Sequence, residues 1–271
     1  ESAKPMEGEL EKTEEEIRFI GKINEYLDEQ FKEIGINKKA DIKPDSIHFL
    51  PVEIFKEKFP LQQAPAFYDG FNQRICLNKS YFDHKSIFYY AMLHEAIHRA
   101  SYQGFYKDIE KEEEPGEGFI NRKSGYRTSN HEKGHFHLNV LNEMVTEKIF
   151  REIIKKHARE IAIEFDFSGK PGVIEEVYSE HYDLVILNEI MRGISEKKQE
   201  KEEDVWARFK KGYFTGEIMH LRDIEKTFGK NALKVLGSLN INSEDKDLNT
   251  YKKNYSEVLG YFVTEDREGR D

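Results

Sequence analysis

The stretch that most limits this chain is Ile87-Phe88-Tyr89-Tyr90-Ala91-Met92-Leu93, followed at once by His94-Glu95-Ala96-Ile97-His98. A helix that is apolar nearly all round has no solvent side, so other parts of the chain must wrap it. Asp83 is placed to cap this helix, and the pattern carries it to about Gln103. Two imidazoles and a carboxylate inside such a helix are costly unless they have partners. The rest of the fold must therefore bring polar groups or a cation to them.

The spacing says which. Residues four apart share a helix face, so His94 and His98 can reach one metal ion from successive turns. Glu95 sits one step round, where it can touch a metal-associated water but not the metal. A catalytic zinc takes three protein ligands and keeps a fourth place open, so a third ligand must come from elsewhere. Downstream, Asn142-Glu143-Met144-Val145-Thr146-Glu147 lies in a second helical pattern running from Phe136 to about Ile163. Glu143 and Glu147 are four apart, on a face that also carries Phe136 and Val140 and so points inward. Two carboxylates there want a cation or histidine partners.

Together the two motifs resemble the gluzincin branch of zinc metallopeptidases, which combines HExxH on one helix with a downstream N-E-x-x-[ST]-[DE] on another. The resemblance covers about 80 residues. It implies Glu143 as the third ligand of one zinc ion, and Glu147 as the partner that accepts a hydrogen bond from His94. It also implies a zincin-like fold in which a small mixed sheet lies over the histidine helix, with the strand at Arg74–Leu77 as an edge for an extended substrate. The distance from His98 to Glu143 is 143 − 98 = 45 residues, longer than in thermolysin-like members. No histidine follows at the metzincin spacing.

What the resemblance implies chemically is hydrolysis of a peptide or protein substrate, with Glu95 as general base. The oxyanion would need a donor besides zinc. Tyr178 ranks first, ahead of Tyr126, Arg127, His137 and His181. Two other readings stay open: a zinc hydrolase of a non-peptide amide, and a catalytically silent zincin-fold module that binds or regulates a partner. Plainer roles also exist for single residues. Glu147 can be a surface salt bridge to a lysine, and Asn142 either touches substrate or caps a turn. His131, His135 and His137 can be solvated loop residues or a replacement ligand. Cys76 reads as a strand hydrophobe.

Elsewhere the pattern gives an α+β chain. An amphipathic helix spans 9–34 with Gly35 as its stop, and Ser46–Leu50 is a strand. Val52–Phe59 forms a short helix, and Pro65–Tyr68 pairs with Gln73–Leu77 as a hairpin. Residues 104–135 read as a long polar loop containing a strand within Phe119–Thr128. Further helices are expected over 173–195, 202–213, 216–227 and 231–238, with Ser195–Asp204 as a solvated turn and 240–271 as a loose end. This organises the chain as an N-terminal helix (1–40), a catalytic core (41–166) and a mainly helical C-terminal part (167–271).

Composition narrows the partners. With 52 acidic and 42 basic residues the net charge is -10, which repels phosphate backbones and argues against nucleic acid. No apolar run is long enough to span a membrane. The one cysteine rules out an internal disulfide framework and suits the cytoplasm. The N-terminus, Glu1 to Pro5, has neither an initiator Met nor an apolar signal core, so a segment was removed or the chain is a piece of a longer one.

Overall fold

The computed structural model describes residues 5–62, 64–108, 119–130, 136–167, 184–239 and 248–263. It is a mixed α+β chain that divides into two compact units, each discontinuous in sequence. A reading in consecutive segments does not anticipate that division. One unit holds Glu1–Ala100 with Thr146–His181, the other Ser101–Val145 with Tyr182–Asp271.

In the first unit, helix α1 (Glu14–Glu33) starts at Thr13 rather than at residue 9. Thr13 accepts from the Glu16 amide, and the Glu16 carboxylate accepts from the Thr13 amide. This reciprocal box satisfies two amides that a helix start leaves open. Gly35, at φ +70, follows its last turn. Strand β1 (Ile47–Leu50) leads to α2 (Val52–Lys58) and then to the hairpin β2 (Ala66–Asp69) and β3 (Arg74–Asn78). The sheet order is β1-β3-β2, parallel on one side and antiparallel on the other.

The strand at Arg74–Leu77 is therefore central, not an edge. Both of its ladders are filled because parallel β1 pairs on the side the hairpin leaves open. The edges are β1 and β2, and β1 also accepts a bond from the Leu10 amide at Phe49 O (2.8 Å).

Helix α3 (Lys85–Ala100) packs against this sheet and α1. Its first carbonyl acceptor is His84 O, bonded by the Phe88 amide, so it begins after Asp83. Phe88 meets Phe49 edge-on at 5.0 Å, and Tyr89 meets Phe19 of α1 at 4.4 Å. As the apolar run requires, Phe88 through His94 are all buried. Cys76 is buried with Leu50 and Phe55, and burial pushes its thiol up to about 12. It packs as a hydrophobe.

In the second unit, the span expected to be a loop is a sheet. Strands β4 (Gln103–Asp108), β5 (Phe119–Ser124), β6 (Arg127–Asn130) and β7 (Phe136–His137) pair antiparallel in sequence order. Gln103 therefore opens a strand rather than ending α3. Phe136 lies in β7, so it does not share a helix face with Glu143. Helix α4 (Asn139–Glu164) follows, and the division between the units falls inside it. Then come α5 (Val185–Lys198), α6 (Glu202–Thr215), α7 (Arg222–Phe228), α8 (Ala232–Ser238) and α9 (Leu248–Val263). Only three residues join α5 to α6, fewer than the charge run suggested, because Lys197 and Lys198 complete the last turn of α5. The expected loose end holds α9, anchored by buried Val258 and Phe262. No helix among the described residues is long and apolar enough to cross a membrane.

Candidate metal centre

Helix α3 presents His94 and His98 one turn apart, with ring centroids 5.0 Å apart. They are only 9% and 8% exposed, so their polar nitrogens cannot rely on water. Helix α4 supplies what they need. His98 Nδ1 lies 3.3 Å from the Thr146 hydroxyl. His94 Nδ1 lies 3.8 Å from Glu147 Oε2, beyond hydrogen-bond length. Glu147 is fully buried, and its other oxygen accepts from Arg151 Nε at 2.6 Å. Its cation partner is thus an arginine one turn on, and it is not a surface residue.

Glu143 lies one turn before Glu147 on the same helix and is half-buried. His94, His98 and Glu143 each offer one ligand atom, and these atoms lie within 4.8 Å of one another. Tetrahedral zinc bonds of about 2.0–2.2 Å place ligand atoms roughly 3.4 Å apart. Two imidazole nitrogens with one carboxylate oxygen are also a donor set that zinc accepts. Among the described residues no other group of three such side chains meets this criterion. Glu95 is half-buried beside His94.

The candidate oxyanion donors fare differently. Tyr178 and His181 lie outside the described residues, as do His131 and His135. His137 is exposed on β7. Tyr126 is buried, and its hydroxyl is taken up by Phe209 O at 2.5 Å and His220 Nε2 at 2.6 Å, so it is not aimed at a substrate. Burial lowers the Arg127 guanidinium below its ordinary value. The Glu143 carboxylate opposes that shift, and Arg122 adds like-charge repulsion. Asn142 accepts from the amides of Tyr126 (3.0 Å) and Arg127 (3.4 Å). Of its two open roles, the turn cap is the one this geometry fills.

Sequence reasoning missed the roles of Thr146, Arg151 and His220. For Arg151 the signal was present, since it follows Glu147 at a four-residue helical step. Thr146 stood in the second motif with no partner assigned to it, and His220 gave no signal, because their partners are remote in sequence. No protein-family model, curated protein or solved structure matches the chain.

Proposed function

We propose that the chain is a zinc-dependent metallopeptidase of zincin type, with His94, His98 and Glu143 as ligands and Glu95 as general base. One observation carries this reading: two histidines on α3 and a glutamate on α4 offer ligand atoms within 4.8 Å of one another. The Thr146 hydroxyl at 3.3 Å from His98 Nδ1 supports it, because a partner at Nδ1 leaves Nε2 to face a metal, and Glu147 lies 3.8 Å from His94 Nδ1, on the side where the same role would be filled.

Bound zinc lowers the pKa of water to about 7 and polarises a carbonyl. The remaining chemistry belongs to the chain. Glu95 takes a proton from the attacking water at its carboxylate and delivers it to the leaving amine nitrogen. Glu147, held by Arg151, stabilises the charge that His94 gains as a ligand. Strand β2 has one side free of β3, and extended peptide can add to a strand edge there.

The test is Glu95→Gln on a peptide library. Zinc should be retained at wild-type stoichiometry while cleavage falls at least ~100-fold, the usual scale for loss of a general base. Cleavage at the wild-type rate by Glu95→Gln would remove Glu95 from this role. A wild type that holds zinc, cleaves no peptide and hydrolyses a non-peptide amide would assign the same centre to the other hydrolase reading.

A further inference from the structure

We propose that Tyr126 is a positioning residue for Glu143, acting through Asn142. The inference rests on the zinc reading above and concerns how the third ligand is held.

Asn142 and Glu143 are consecutive near the start of α4. The Asn142 side chain does not reach outward. Its Oδ1 accepts from the Tyr126 and Arg127 amides and so ties the helix to the β5–β6 turn. That turn is built for close approach. Gly125 has φ +56, and a Cβ there would lie 2.5 Å from Asn142 Oδ1 and 2.6 Å from the Tyr213 ring. A side chain at this position would push Asn142 away, and Glu143 with it.

Tyr126 is anchored at its other end as well. Its hydroxyl proton goes to Phe209 O at 2.5 Å. A phenol has one proton to give, so the 2.6 Å contact to His220 Nε2 is a bond donated by the ring N–H to the phenol oxygen. That bond needs a proton on Nε2. Burial, with Arg208 adding to it, holds His220 at about 4, so the ring is neutral and its one proton sits on Nε2. Burial also keeps the phenol protonated, well above its ordinary value. Tyr126 is thus held at three points: amide to Asn142, hydroxyl to Phe209, oxygen to His220. A ligand carboxylate must sit within about 0.5 Å of its working position, and Glu143 takes its place from this post.

The experiment is zinc affinity by competition with a chromophoric chelator, on folded wild type, Tyr126→Phe, Glu143→Ala and the double variant. Tyr126→Phe should weaken zinc roughly 10-fold, the scale of losing a partner behind a ligand. It should add nothing in the Glu143→Ala background, which a general loss of packing would not reproduce. His220→Gln, whose amide can replace the ring N–H, should stay near wild type, and His220→Leu should repeat the loss. The proposal is overturned if Tyr126→Phe binds zinc like wild type, or if it weakens binding equally in both backgrounds. Where Tyr126→Phe does not fold, the same cycle with His220→Leu gives the same two answers. A wild type without zinc, or a Glu143→Ala that binds as tightly as wild type, fails the zinc reading itself and this inference with it.

Discussion

The two sheets of this molecule are held in opposite ways. In β1-β3-β2, the residues Ile47, Phe49, Leu50, Ile75, Cys76 and Leu77 are all fully buried, and the stabilisation is transfer of apolar surface from water. In β4-β5-β6-β7 the buried side chains include Arg122, Lys123 and Ser124. There, Gln103 Nε2 donates to Ser101 Oγ and Ser124 Oγ, both at 3.0 Å, while its Oε1 accepts from Arg122 at 2.8 Å. Lys123 donates to Gly216 O at 2.7 Å. An apolar sheet tolerates loss of one contact in proportion to area. A polar sheet fails where a buried donor or acceptor is left unmade.

That contrast can be broken at three places. The largest effect belongs to Phe49→Ala in the apolar sheet, which should cost about 3–5 kcal/mol in denaturant unfolding. A cost near that of a surface change would mean the aromatic contact to Phe88 carries little. Next is acid sensitivity in the second unit. His220 sits at about 4 against an ordinary 6.5, so the unfolded chain binds the proton more readily. Stability from this group is full above pH 6.5 and is lost as pH falls toward about 4, by about 3 kcal/mol at most. His220→Gln should flatten that limb of the stability-against-pH curve, and an unchanged limb would place the titration elsewhere. Smaller still is Gln103→Leu, expected to cost about 1–3 kcal/mol because the Arg122 guanidinium loses an acceptor. A neutral result would mean the polar sheet is held by its backbone ladder alone.

The same contrast explains what was legible in the sequence. Period and apolar runs gave α1, the β2–β3 hairpin, α2, α3 and most of α4, because burial of apolar faces writes a pattern. The polar sheet wrote little. A strand was read within Phe119–Thr128, but Gln103 read as the end of α3, and Gly104-Phe105 and Ser129-Asn130 read as loop, since their strand pairing is satisfied by hydrogen bonds rather than by alternation. The central place of β3 was hidden as well, because a strand's second neighbour is set by topology. At the candidate centre, spacing singled out His94, Glu95 and His98, and the family resemblance implied Glu143. The hold on Glu143 was not legible, because Asn142 meets backbone amides, and an amide has no identity in a sequence.

The most direct measurement is zinc content by elemental analysis of purified wild type and Glu143→Ala, dialysed side by side against the same trace of zinc. The account predicts one zinc per wild-type chain and a large loss in Glu143→Ala, with the variant still folded. A wild type without zinc, or a Glu143→Ala that retains it in full, would contradict the ligand set on which the function rests.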